Sequence, residues 1–285
     1  LAGVYAWIAG YGQEPEYYAL GIEAAGKVIG DPNYRLVASP EEVCTEVLAG
    51  NSAEGIFEVC YDDSRGEYKD FGSYIGGTVE KWPVLKGTTP ASRRKFFIRN
   101  GTVERLYTPE DLRLQAYFAD FFRMKEEPVS VTQGAAYVRM WREVEYYSGG
   151  IYDGTPRTLL ANDILIRLPD ILLLRAEMRA ATGDREGAVA DLDVVRRRAG
   201  VAGYSESEGD LRRAIQLERD RELLFQTGVR YFDYMRNHTY NLLKGGFRGL
   251  TEADVAAGAL FLPVSLDAMN NNPKVKQTAY WVGKF

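Results

Sequence analysis

The stretch Leu168-Pro-Asp-Ile-Leu-Leu-Leu-Arg-Ala-Glu177, continuing to Gly183, decides the fold class. Leu168, Ile171, Leu172, Leu174, Ala176 and Met178 are apolar nearly all the way round a 3.6-residue spiral, whereas a surface helix keeps one polar face. The segment therefore predicts a central buried helix ended by Gly183. Asp184 can cap a second helix, on which Ala188, Leu192, Val195 and Ala199 share a face before Gly200 stops it. A third helix is expected over about Glu208 to Thr227, with Leu211, Ala214, Ile215, Glu218, Glu222 and Phe225 on one stripe.

Upstream, Val4, Ile8 and Tyr11, then Tyr17, Leu20, Ala24 and Val28, keep helical spacing on either side of the Gln13-Glu14-Pro15 break. They predict an antiparallel helix pair over residues 1 to 30. Ser39-Pro40-Glu41-Glu42 reads as a helix start running to about Ala49, and Gly55 to Tyr61 as a buried strand. From Asp62 to about Asn162 the periodicity is poor, broken by Gly-Gly, Trp-Pro, Thr-Pro and Ser-Gly-Gly. Tyr68, Phe71, Tyr74, Trp82, Trp141, Tyr146, Tyr147 and Tyr152 are scattered through it. A hundred residues of weak pattern inside a compact chain point to a functional segment. The expected class is mainly α: a single unit of tetratricopeptide-like helix hairpins with a long irregular insert and a few short strands. Its parts are 1–61, 62–162, 163–245 and a C-terminal segment, 246–285.

At 285 residues, 46% hydrophobic and 26% charged, the chain is an ordinary globular protein. Its net charge of −5 removes the basic field that nucleic-acid binding needs. No run approaches 18 consecutive apolar residues, so none is expected to cross a membrane. The first residue is Leu1 and no signal-type segment opens the chain, which reads as a processed chain or a fragment. Cys44 and Cys60 form no C-x-x-C and have no nearby histidine, so a zinc or redox site is not expected. With one histidine in the chain, His238, and none of the common phosphate, hydrolase or zinc-protease motifs, catalysis starts without its usual groups. No cofactor is implied.

Glu218 and Glu222, four residues apart, share a helix face. That spacing suits a glycosidase carboxylate pair or half a di-metal site, but Arg219, Arg221, Arg230 and Arg236 lie near in sequence. Guanidinium groups hold carboxylates ionised, whereas a general acid must keep its proton, and a di-metal helix would need Glu-x-x-His. The reading adopted is a structural ion-pair cluster of Glu218, Arg219, Arg221, Glu222, Arg230, Asp233 and Arg236. The aromatics of the irregular segment are the candidate ligand surface: Trp82, Tyr74 and Tyr68, with Asp70 and Asp63, and further along Trp141 and Tyr147. A flat ring stacks on the C–H face of a sugar, and flanking polar groups meet its hydroxyls.

From Leu168 to Glu177 the sequence resembles the SusD/RagB family of surface nutrient-binding lipoproteins, and further segments follow in that family's order. Val195-Arg-Arg-Arg-Ala-Gly200 resembles its "vRxRAG" helix end. Leu217 to Phe225, continued by Gly228 to Arg236, resembles its "ERxxELxFEGxRxxDxxR" signature. Phe261-Leu-Pro-Val264 and Asn272-Pro-Lys-Val-Lys-Gln-Thr278 resemble its closing proline motifs, while Asn51 to Tyr61 and Asp111-Leu-Arg113 match upstream elements. Gln226, Val264 and Thr278 depart from the usual residues, conservatively. The resemblance implies a mostly α-helical protein at the outer-membrane surface, lipid-anchored through an N-terminal segment absent from this chain. It implies capture of oligosaccharides, or in some members peptides, for a SusC-like TonB-dependent transporter. It also implies that the "ERxxEL" residues are structural, and that aromatic platforms lie upstream of the Leu168 helix, in the zone of Trp82, Tyr74 and Tyr68. A protein-interaction scaffold and a glycosidase are the competing expectations.

Overall fold

The computed structural model describes residues 1–61, 63–65, 82, 84–89, 96–226, 228–243 and 249–284. The chain opens with the expected pair, α1 (Ala2–Gly10) and α2 (Tyr17–Ile29), packed on one another. Ser39 accepts from the Glu42 backbone N–H at 3.2 Å and caps α3 (Pro40–Glu42). The helix does not run to Ala49: after Glu42 it widens into a π-turn at Val43–Val47, which turns Val43, Cys44 and Val47 wholly inward. Strand β1 (Gly55–Val59) follows. It was expected to be buried, but it pairs with a single partner, so Phe57 and Val59 on its outer face stay exposed.

The middle is far from structureless. It contains β2 (Ile98–Arg99), α4 (Asn100–Leu106), α5 (Leu112–Tyr117), α6 (Phe121–Met124), α7 (Val129–Thr132), β3 (Ala135–Ala136), β4 (Val144–Tyr146) and β5 (Pro156–Leu159). These pieces are too short to show a period in sequence, yet they enclose a core of their own. Tyr107, Tyr117, Phe118, Phe121, Met140 and Trp141 pack there against Val43, Val47 and Leu48.

β6 (Asp163–Arg167) runs antiparallel to β1 and leads into α8 (Leu168–Thr182). Pro169 suits the first turn, where a missing N–H costs nothing, and Gly183 ends α8 in the left-handed conformation. Eight of its apolar or small side chains between Leu168 and Met178 are buried, as its sequence requires. Each buried leucine contributes about 1.5–3 kcal/mol, so this helix anchors the frame. It packs against α1, α2, α9 (Arg185–Arg198) and α10 (Leu211–Glu222). Gly21 of α2 lies so near α8 that a Cβ there would sit 2.4 Å from the Met178 sulfur. The two hairpins, α1–α2 and α8–α9, thus stack side by side.

The third expected helix is shorter than its stripe. Asp210 caps α10, accepting from the Arg212 N–H, and the helix stops at Glu222, where Phe225 and Gly228 adopt positive φ before α11 (Val229–Arg236). The "ERxxEL" signature therefore bends across two helices. The C-terminal segment adds α12 (Glu252–Ala256) and α13 (Leu266–Asn271). Among the described residues no helix is long and apolar enough to cross a membrane.

Candidate functional site

Glu218 and Glu222 sit on the inner face of α10, and both side chains are wholly buried. Arg113 of α5 bridges them, its Nη1 lying 2.6 Å from Glu218 Oε1 and 3.3 Å from Glu222 Oε2, while its Nη2 meets Asp111 at 2.8 Å. Glu218 is completed by Arg196 Nε at 3.3 Å and Arg221 Nη1 at 3.1 Å. Glu222 is completed by Arg167 at 2.6 Å and by Arg198, and these two arginines also share Glu54 at 2.7 and 3.1 Å. Burial alone would push both α10 carboxyls up. Instead Arg198, Arg167 and Arg113 outweigh it and hold Glu222 down to about 2, and Arg113, Arg221 and Arg196 lower Glu218 likewise. Both carboxylates are held ionised by the guanidiniums around them and are cut off from solvent, so neither can act as a general acid on a bound sugar.

Within the cluster read from the sequence, the partners are redistributed. Of the four nearby arginines only Arg221 reaches these glutamates. Arg219, one position on from Glu218 and so turned about 100° round the helix, pairs with Asp233 and Asp170, both at 2.6 Å. Arg236 pairs with Glu177 at 2.7 Å and Asp233 at 2.6 Å, and Arg230 with Asp220 at 2.9 Å. These form a second lattice between α8, α10 and α11. At Asp220 burial wins over Arg230 and the carboxyl is raised, while at Asp233 Arg219 and Arg236 overcome burial and lower it.

The ring candidates separate sharply. Trp141 is 2% exposed and belongs to the core of the middle layer, so it is no stacking face, because its neighbours already cover both sides of the ring. Tyr68, Asp70 and Tyr74 lie outside the described residues, as does the side chain of Asp63. Trp82 is half-buried. Tyr147 is 43% exposed and stands at the base of the β4–β5 turn, with Tyr152, at 60%, beside it. Their ring centroids are 5.7 Å apart at 40°. Ile151 between them is exposed as well.

The turn that carries this pair is tightly tied. The Tyr147 N–H donates to Thr155 O and the Gly154 N–H to Tyr147 O, each at 2.9 Å. The Gly149 N–H donates to the Asp153 carboxylate at 2.6 Å, and the Thr155 hydroxyl to Tyr152 O at 2.6 Å. The segment that follows Trp82 presses on the same turn: Gly87 has φ +66°, and a Cβ there would lie 2.3 Å from Gly154 O. Leu85 anchors that segment in the middle core. Tyr147 and the Trp82 segment, far apart in sequence, thus border one surface. Tyr152 is among the scattered aromatics but not among the ligand candidates, and Ile151 is in neither, although the Ser148-Gly149-Gly150 and Gly154 breakers around two tyrosines mark a turn presenting rings.

The sequence signature of the SusD family matches residues 128–281, more than half of the chain. The chain belongs to the SusD family. The solved structures similar to this SusD-family chain include a SusD homologue from Bacteroides thetaiotaomicron, with 22% identity and a TM-score of 0.78 over 98% of this chain and 58% of that one. Surface glycan-binding protein A of the same species, in complex with laminarihexaose, is 22% identical with a TM-score of 0.68 over 98% and 64%. NanU of Bacteroides fragilis is 20% identical, with a TM-score of 0.66 over 97% and 61%. The chain therefore spans about three-fifths of the length of these structures. No curated protein sequence matches it.

Proposed function

We propose that this chain binds an extracellular oligosaccharide without cleaving it. In this reading the sugar rings stack on Tyr147 and Tyr152 at the β4–β5 turn, with the Trp82 segment alongside, and the complex passes its cargo to a SusC-like TonB-dependent transporter at the cell surface. The observation that carries it is the exposed tyrosine pair on a backbone-locked turn, since a turn already ordered has little backbone freedom left to lose when a sugar stacks on its rings. The laminarihexaose complex of a protein with the same fold supports the ligand class. The burial and ionisation of Glu218 and Glu222 support the non-catalytic half of the reading. Lipid anchoring belongs to the same proposal.

Each stacked ring contributes about 0.5–1.5 kcal/mol beyond area burial, so losing two should weaken binding about tenfold. The test is a glycan array followed by calorimetry on the best-binding oligosaccharide. The Tyr147→Ala/Tyr152→Ala double variant should lose that affinity while keeping the parent's thermal melt. Undiminished affinity would reject the turn as the platform, and a blank array with peptide binding would reject the ligand class.

A further inference from the structure

The start of α10 and the residues that follow α11 border an open cleft of about 540 Å³. Asp210, Arg212, Arg213, Gln216, Asn237, Thr239 and Leu242 line it, so that polar and charged ends stand on walls made largely of side-chain carbon. The floor is built. Gln216 is 4% exposed; its amide donates to the Thr239 hydroxyl at 2.7 Å and its carbonyl oxygen accepts from Arg213 Nη1 at 2.8 Å. Arg213 is further fixed by its contact with Tyr234, the guanidinium lying 5.8 Å from the ring centroid.

The two guanidiniums distinguish this cavity. Arg113, Arg167, Arg196, Arg198, Arg219 and Arg236 are each matched by carboxylates, but among the described residues neither Arg212 nor Arg213 has an ion-pair partner. Both border the same space. Asp210 is the one carboxylate there, and its Oδ1 already accepts from the Arg212 N–H at 3.2 Å as the cap of α10. Two cations against one engaged anion leave a site that attracts negative charge, and a guanidinium fork suits a carboxylate in particular. A bare inorganic anion would meet the repulsion of Asp210. A sugar acid offsets that repulsion, because its hydroxyls donate to Asp210 while its other oxygens meet the donors of Asn237 and Thr239. The volume has room for one or two sugar rings.

We infer that this cavity is a second saccharide site, separate from the tyrosine turn, and that it takes the carboxylate end of an acidic sugar. The probe is digalacturonate, measured by calorimetry on the full chain beside its methyl ester, which keeps the rings and removes the charge. Digalacturonate should bind, its ester at least tenfold more weakly, and Arg212→Gln should produce the same loss with an unchanged circular dichroism spectrum. Arg212→Lys should retain part of the affinity, since a point charge replaces the fork, and the Tyr147→Ala/Tyr152→Ala variant should retain all of it. No binding of digalacturonate, equal binding of acid and ester, or full affinity in Arg212→Gln would overturn the site. Displacement by equimolar inorganic phosphate would overturn its saccharide character.

Discussion

Around Glu222 the charged side chains are sealed from water and answered by one another, whereas around Tyr147 the backbone is tied and the side chains are left open. In the first region Arg113, Arg167 and Arg198 arrive from segments that lie 109, 55 and 24 residues away, so the ion pairs stitch the middle layer and β6 to the helical frame. In the second, hydrogen bonds within nine residues shape the turn, and its two rings lie beside one another and stay exposed. The contrast teaches that charge density here measures assembly, and that ring exposure measures availability to a ligand. A buried pair has little net value over a well-packed apolar replacement, but removing one partner strands the other.

The largest effect that can break this comparison is Arg113→Ala. It leaves Glu218 without its 2.6 Å partner and Asp111 without its own, both in a dry interior. A loss of about 3–5 kcal/mol is expected in chemical denaturation. A loss below about 1 kcal/mol would mean that the network does not hold the layers together.

The next effect sharpens the comparison by pH. Glu222 is held at about 2 against an ordinary value of 4.5, and Glu218 and Asp233 are lowered in the same direction. A depressed carboxyl contributes its full stability above the unfolded value and loses it as pH falls toward the folded one. The denaturation midpoint should therefore stay level down to about pH 4.5 and then fall steadily toward pH 2. Asp220, whose carboxyl burial raises, works the other way and offsets a little of the decline. Glu222→Gln should flatten the slope. A midpoint unchanged between pH 5 and 3 would contradict the direction assigned to these groups.

The two regions also differ in how far the sequence could be read. The frame was legible because α1, α2, α8 and α9 are long enough to display a 3.6-residue period and end at Gly or Asp signals. The buried role of Glu218 and Glu222 was legible too, because two glutamates on an apolar stripe demand cations. Which cations was not: Arg113 and Arg167 come from other layers, and only tertiary packing brings them in. The middle layer read only as an irregular segment, and its own core stayed hidden, because its helices run four to seven residues, too short for periodicity. Trp141 and Tyr147 look alike in such a stretch, six residues apart and both aromatic among breakers, although one fills the core and the other faces solvent.

The smallest effect asks whether the middle layer opens while the frame stays closed. Cys44 lies in the core between them, wholly buried, and its thiol is pushed up to about 12 by that burial, whereas Cys60, just past β1, is exposed. Thiolate is the reactive form, so Cys44 is protected twice, by access and by protonation. An aromatic disulfide reagent at pH 8 should titrate one thiol per native chain within minutes and two after denaturation. Slow appearance of the second thiol in native buffer would report opening of the middle layer away from α3. Its rate should rise in Arg113→Ala, which loosens that layer, and stay unchanged in the Tyr147→Ala/Tyr152→Ala variant, which touches only the turn. Equal rates in both variants would mean that the ion pairs and the aromatic core are not acting on the same interface.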